Sequence, residues 1–365
     1  MFRRILFIIS IFISAHVLAQ SPDFKLYLVG DAGEDEITGE TLDSLKSKLL
    51  HNRESAIIFL GDNCYKNTLF GLIEGFKGFD SSKITRLKLH SQLDILNAYK
   101  GSVFFVPGNH DWWNITSYNK GKRKLKMEES FIESNLGKNT TIANPGGTFF
   151  PKDGSPGPAS VELDNKKVRI VFIDTYWLIL LGFKKNPAEN FAIANTFYHN
   201  LDSTLALATI QHQKIVVVAH HPSYYTIDAV SKSSPPFRND LKHPYFFGRI
   251  KQSSLLFPSY DTMAVKLNSI FQKYPRMYYA TGHIHALQFH TYKGVNYIIS
   301  GAGSKTIKVK EKPKDTSNKA NADCELWNEK GFFEMDFYKD LTPGVILYSN
   351  SGRVATQIKT QESLK

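Results

Sequence analysis

Five apolar runs in this chain stop abruptly, and each hands over to residues that can hold a metal ion. Ala56-Ile57-Ile58-Phe59-Leu60 ends on Gly61 and delivers Asp62, with Asn63, Cys64 and Tyr65 behind it. Leu26-Tyr27-Leu28-Val29-Gly30 delivers Asp31, and Val103-Phe104-Phe105-Val106-Pro107-Gly108 delivers Asn109, His110 and Asp111. Ile215-Val216-Val217-Val218-Ala219 delivers His220 and His221, and Met277-Tyr278-Tyr279-Ala280-Thr281-Gly282 delivers His283 and His285. Short apolar runs bounded by turn residues read as buried strands. In open α/β sheets, ligands bind outside the carboxyl ends of the strands. The repeated pattern therefore predicts an α/β fold whose strand ends converge on one polar site.

The stretches between these runs support that class. Glu40 to His51 carries Leu42, Leu45, Leu49 and Leu50 at helical spacing, between strands at Phe24–Gly30 and Ala56–Leu60. Such a strand–helix–strand unit predicts parallel strands joined by a right-handed crossover. A helix is expected over Lys83–Tyr99, a strand over Ser102–Val106, and a basic helix ending near Leu136. Ala159–Leu163 and Val168–Ile173 read as a hairpin around Asn165. Asp174, at the end of that hairpin, has no second donor beside it and reads as a turn residue.

Trp177 to Ala194 reads as an apolar, aromatic insertion broken at Lys184-Lys185-Asn186-Pro187. Helices are expected over Leu201–Gln213 and Met263–Tyr274, and strands over Lys214–Ala219, Leu287–Tyr292 and Tyr297–Ser300. Pro222 to Pro258, rich in Tyr, Phe, Ser and Pro, is long for a structureless loop and reads as functional. Lys305–Asn328 reads as a charged mobile loop. Phe332–Tyr338 and Val345–Tyr348 close the domain as an antiparallel pair.

The chain has 365 residues, of which 42% are hydrophobic, enough for a substantial core, so disorder is excluded as the default. Arg3 and Arg4 precede an apolar stretch from Ile5 to Val17, and Val17-Leu18-Ala19 puts a small residue before Gln20. This pattern is that of a secretory signal peptide over residues 1–19, and it predicts an exported protein (periplasmic, secreted or otherwise extracytoplasmic). The apolar run is short of the roughly 20 residues that a spanning helix needs, so no transmembrane segment is expected in the mature chain. The expected organisation is one domain over 20–356 and a polar tail over 357–365.

The formal charge of +11 favours anionic partners such as phosphates. The basic residues are scattered, densest over Lys120–Lys126, and are not interleaved with aromatics, so no nucleic-acid partner is expected. Cys64 and Cys324 are too few for a disulfide framework. One bridge between them is open in an oxidising compartment, but Cys64, two residues from Asp62, fits better as a small buried residue under the site.

Asp31, Asp62, Tyr65, Asn109, His110, His220, His283 and His285 combine carboxylate, phenol, amide and imidazole donors. Without a thiolate set, a closed Cys₄ zinc site is excluded. Imidazole with oxygen donors suits iron, zinc or manganese. The donors are too many for one ion and suit two ions about 3.5–4 Å apart, an arrangement that clamps a phosphoryl group for in-line displacement. Taken without the other blocks, Asp31 and Asp62 read better as turn formers or helix caps. His221 reads as a neighbour of His220 rather than a ligand. His51, His90, His199, His212 and His290 read as structural or surface residues.

Gly30-Asp31-Ala32-Gly33, Gly61-Asp62-Asn63-Cys64-Tyr65, Gly108-Asn109-His110-Asp111, Val217-Val218-Ala219-His220 and Gly282-His283-Ile284-His285 resemble the five blocks of calcineurin-like metallophosphoesterases. Tyr65, three residues after Asp62, narrows the resemblance to the single-domain, mammalian-type purple acid phosphatases. The resemblance implies a four-layer sandwich: two packed mixed β-sheets flanked by helices. It implies a ferric ion on Asp31, Tyr65, His285 and a bridging Asp62, and a divalent ion (Fe, Zn or Mn) on Asp62, Asn109, His220 and His283. It implies that His110 stays off the metals and serves the substrate phosphate. The activity implied is hydrolysis of phosphomonoesters by in-line attack of a metal-bound hydroxide.

One departure from the family pattern stands out. The further histidine expected a short way past His220 is missing from Pro222–Ala229, and only His243, after a long insertion, could replace it. Three other readings remain open at this stage: a diesterase or lipid-phosphate hydrolase with a Mn/Zn pair, a scaffold with a dead site, and a nucleic-acid binder. The scaffold reading would require missing ligands, yet every ligand position is filled. Nothing in the motifs asks for nucleic acid.

Overall fold

A computed structural model of the chain describes residues 21–34, 39–52, 54–65, 83–112, 118–136, 147–180, 187–225, 257–306, 324–326, 328–339, 343–351 and 354–358. The segment 1–20, which covers the expected signal peptide, most of Pro222–Pro258 with His243, residues 307–323 and the last seven residues lie outside the described residues. Among the described residues no helix is long and apolar enough to cross a membrane.

Two mixed sheets make the frame. The first runs β13-β12-β11-β1-β2-β3, with β1 Phe24–Val29, β2 Ser55–Phe59, β3 Ser102–Phe105, β11 Gly331–Phe337, β12 Gly344–Ser349 and β13 Val354–Ile358. Its β1, β2 and β3 are parallel, with Leu26 opposite Ala56 and Ala56 opposite Ser102, while β11 pairs antiparallel to β1. The second runs β10-β8-β9-β7-β6-β5-β4. It comprises β4 Ala159–Leu163, β5 Val168–Phe172, β6 Lys214–Val218, β7 Tyr278–Thr281, β8 Leu287–Tyr292, β9 Val295–Ser300 and β10 Cys324–Leu326. Here β5, β6, β7 and β9 are parallel. The carboxyl ends of parallel strands lie at one sheet edge, so the ligand-bearing loops after β1, β2, β3, β6 and β7 are gathered by topology alone.

The alternation of each strand explains the layering. Leu26, Leu28, Ala56, Ile58 and Phe104 of the first sheet share one buried cluster with Ile170, Phe172, Val216, Val218, Ala280 and Ile298 of the second. The intervening residues Tyr27, Val29, Ile57, Phe59, Val171 and Val217 belong to another cluster, with the apolar faces of the helices. A period of two on strands buried on both faces gives helix, sheet, sheet, helix. This is the expected sandwich.

The helices are α1 Glu40–His51, α2 Lys83–Asp94, α3 Asn109–Trp112, α4 Tyr118–Leu136, α5 Thr175–Leu180, α6 Pro187–Ile210 and α7 Phe257–Phe271. In α1, Leu42, Leu45 and Leu49 are buried, with Glu40 and Asp43 in the first turn and Lys48 and His51 in the last, matched to the helix dipole.

Four expectations need correction. Asp174 is a helix cap: its Oδ1 accepts the Trp177 N–H at 2.9 Å and opens α5, which no apolar period announces because all six of its residues are buried. The stretch read as an insertion up to Ala194 is helical from Pro187, which opens α6, since a first-turn proline gives up no intrahelical bond; Lys184–Asn186 lie outside the described residues. β10 lies within the stretch read as a mobile loop, paired antiparallel to β8. β13 runs through residue 356, so folded structure extends at least to Ile358. The two cysteines are buried, Cys64 in the loop after β2 and Cys324 in β10.

Candidate metal centre

The two sheets meet at glycines. A Cβ on Gly30 would lie 2.9 Å from the Cα of Gly282, and Gly30 N–H donates to the Ser300 carbonyl at 2.7 Å. Gly61 has φ +87°, and a Cβ there would lie 2.6 Å from His220 Nδ1. Only glycine tolerates that backbone and that approach together. Asp31, Asp62 and His283 also take left-handed backbone, at φ 57°, 52° and 67°. Non-glycine residues held in this region cluster at functional sites.

The side chains gather into two adjoining groups. In the first, Tyr65 Oη donates to Asp31 Oδ1 at 2.6 Å and lies 3.0 Å from His285 Nε2, which is 3.3 Å from the same Asp31 oxygen. In the second, Asn109 Oδ1 lies 3.1 Å from His220 Nε2 and 3.0 Å from His283 Nδ1, and His220 Nε2 is 3.3 Å from Asp62 Oδ1. Asp31, Asp62 and His220 bring ligand atoms within 4.8 Å of one another, so Asp62 stands between the groups. Every residue expected as a ligand is in one group or the other.

His110 stands apart. Its side chain is about half exposed (47%), its ring packs 4.5 Å from that of Tyr65, and its Nε2 is 3.9 Å from Asp62 Oδ2. Its backbone N–H donates to Asp62 Oδ1 at 2.8 Å.

The donor set fits cations. His220 Nδ1 donates to the Leu60 carbonyl at 2.8 Å, since a carbonyl can only accept. The neutral ring would then aim the Nε2 lone pair at the oxygens of Asn109 and Asp62, acceptor against acceptors. A positive charge must lie among them. Without an ion the ring itself carries it: burial lowers the His220 pKa, but the Asp62 carboxylate outweighs burial and pushes it up to about 9. Burial pushes Asp62 up, yet the His220 and His110 charges hold it well below the ordinary carboxylate range. Burial and the charges of Asp31 and Asp62 raise the Tyr65 phenol well above its ordinary value, so only a strong Lewis acid would ionise it. Burial, with His220 beside it, keeps His283 neutral, the form a metal needs.

A buried polar shell holds the two acidic loops together. Asp111 accepts from Gly108 N at 2.7 Å, Asn63 N at 3.3 Å and Cys64 N at 3.2 Å. Asn63 Nδ2 donates to the Val106 carbonyl and to Glu128 of α4. Gln92 donates to the Asn63 carbonyl, and Lys88 to the Tyr65 carbonyl. Lys305 reaches over the Tyr65 ring and pairs with Glu34 at 2.8 Å. Sequence reading missed Lys88 and Glu128 because isolated charges carry no local signal of burial, and the partly exposed pair Glu34 and Lys305 because its partners are far apart in the chain.

Comparison with known proteins rests on the same stretch. A family model described as calcineurin-like phosphoesterase matches residues 24–301. The chain belongs to that family. It is a metal-dependent phosphoester hydrolase, as the family and the metal-capable groups together indicate. No curated protein matches this phosphoesterase in sequence. Among solved structures it resembles GAP50, the anchor in the inner membrane complex of Plasmodium, at 17% identity and TM-score 0.49, over 93% of this chain and 90% of that one. It also resembles a dimetal phosphatase from Danio rerio at 12% identity and TM-score 0.49, over 93% of this chain and 99% of that one. At such identities each is a likeness of fold.

Proposed function

We propose that this phosphoesterase is an exported phosphomonoesterase of the purple acid phosphatase type, with a ferric and a divalent ion. The observation that carries the reading is Tyr65 Oη, 2.6 Å from Asp31 Oδ1 and 3.0 Å from His285 Nε2. A buried phenol among acceptors is an expensive ligand unless a hard, highly charged ion ionises it. Asp31, Tyr65, His285 and Asp62 would hold that ion, and Asp62, Asn109, His220 and His283 the divalent one. When bound, such a pair clamps a phosphoryl group and supplies a nucleophile near neutral pH.

The rest falls to the chain. Leu60 and its carbonyl fix the tautomer of His220, leaving Nε2 for the metal side. His110, off both donor groups and about half exposed, would be the group that serves the substrate phosphate as general acid. Lys305 adds a positive charge over the phenol, which favours an anionic substrate. A diesterase or lipid-phosphate hydrolase would need an apolar wall. Tyr176 to Leu180 are buried, with Tyr176 stacked on His221, and most of the second aromatic stretch, 245–260, lies outside the described residues. Export rests on Arg3, Arg4 and the apolar run to Val17. Gln20 as the mature N-terminus is its check.

The test is metal analysis with a visible spectrum, on the wild type and Tyr65→Phe. About one iron per chain with a broad visible band that Tyr65→Phe abolishes is the expected result. A colourless protein holding two zinc or two manganese ions overturns the purple-type reading and moves the enzyme to the broader phosphoesterases.

A further inference from the structure

The sequence sets His221 beside His220 as a bystander. In the fold its ring centroid lies 4.9 Å from that of His220 and 4.3 Å from that of His283. The three imidazoles bring ligand atoms within 4.8 Å of one another, and all three residues are buried. Two imidazole nitrogens on one ion, each about 2.1 Å from it, stand at most about 4.2 Å apart, so this spacing is close to that of a shared ion.

The orientation of His221 is specified from outside the site. Its Nδ1 is 2.9 Å from Thr175 Oγ1, and the same oxygen accepts the His221 backbone N–H at 3.0 Å. Thr175 is the first residue of α5, whose cap is Asp174. Tyr176 stacks on the His221 ring at 5.7 Å and 14°, and Tyr260 meets it edge-on at 6.0 Å. With Nδ1 engaged by the hydroxyl, Nε2 is the atom left for an ion. A ring nitrogen donating to an oxygen while the other binds metal is the usual arrangement of a metal-ligating histidine. His220 repeats it, with the Leu60 carbonyl in place of Thr175.

We propose that His221 is a third imidazole ligand of the divalent ion, joining His220 and His283, with Thr175 as its positioning residue. The inference rests on the two-ion reading above. A site with three imidazoles beside Asn109 and Asp62 is nitrogen-rich and takes a borderline ion such as zinc or ferrous iron in preference to magnesium or calcium.

The experiment is a competitive chelator titration of the zinc-loaded mature protein that resolves both equivalents. It compares the wild type with His221→Ala, His221→Phe and Thr175→Val, each checked for its fold by circular dichroism. Phe keeps the ring volume against Tyr176, so a folded variant lacking the nitrogen is secured. In both His221 variants one equivalent is expected to weaken by about 100-fold or more and the other to stay unchanged. Thr175→Val should weaken the same equivalent by about 10-fold. Cobalt substitution should alter the visible ligand-field bands in the His221 variants only at that equivalent. Two equivalents of unchanged affinity in a folded His221→Phe protein would overturn the inference and leave the two-ion reading standing. A wild type that binds fewer than two ions would overturn both.

Discussion

The Lys305 ammonium nitrogen lies 3.5 Å from the centroid of the Tyr65 ring. Glu34 holds it there, and Ser304, its neighbour, is tied to the Asp31 loop through the Ser304 hydroxyl and the Asp31 carbonyl. A cation over an aromatic face is worth about 0.5–2 kcal/mol, more as water is excluded. This one sits beside the donor group that the phenol completes.

Lys305→Met should therefore weaken phosphate-ester binding more than it slows turnover. A partly exposed charge acting on the substrate is worth about 0.2–1 kcal/mol, which corresponds to a rise in KM of roughly 1.5- to 5-fold, with kcat changed little. The rise should shrink in high salt, because it is a partly exposed charge that is lost. Steady-state kinetics at two ionic strengths decide it; an unchanged KM at low salt would remove Lys305 from substrate recognition.

His110→Ala should leave both metals in place and lower kcat by about 10²–10⁴-fold, the range for a lost proton donor. The expectation follows from its half-exposed ring, which belongs to neither donor group. Metal content and kcat measured on the same preparation separate the roles. Loss of an ion from this variant would make His110 a ligand.

Glu128 gives a pH signature in the metal-free protein. Burial pushes its carboxyl up to about 8, and burial with the Glu128 charge raises Asp111 as well. An acid whose native pKa lies above its unfolded value keeps its proton longer in the native state, so its effect on stability worsens as pH climbs from about 4.5 to about 8. Glu128→Gln keeps the shape and removes the proton. Its urea midpoint relative to wild type should rise between pH 5 and pH 8.5, by an amount on the order of a few kcal/mol in unfolding free energy. A constant difference across that range would mean that Glu128 is ionised throughout.

Asp31, Asp62, Tyr65, Asn109, His220, His283 and His285 were legible because each follows a buried strand within a few residues, so local chemistry and topology point to the same place. Glu128 was not, since on α4 it follows five basic residues and looks like solvated charge; only tertiary packing buries it against Asn63. Lys305 and Glu34 meet across most of the chain, a pairing that no local pattern encodes. α5 was missed because a helix buried on every side shows no amphipathic period. His221 read only as a neighbour of His220, because its closeness to His283 and its contacts with Thr175 and Tyr176 arise from tertiary packing.

Each donor group draws on both sheets: Asp31 and Tyr65 from the first with His285 from the second, and Asp62 and Asn109 from the first with His220 and His283 from the second. Bound ions would act as rivets through the seam where Gly30 touches Gly282. Slippage of one sheet against the other would then tear two coordination spheres at once. The same ions that serve chemistry would make the halves of the molecule melt as one body, and a chelator would loosen the architecture as well as silence the enzyme.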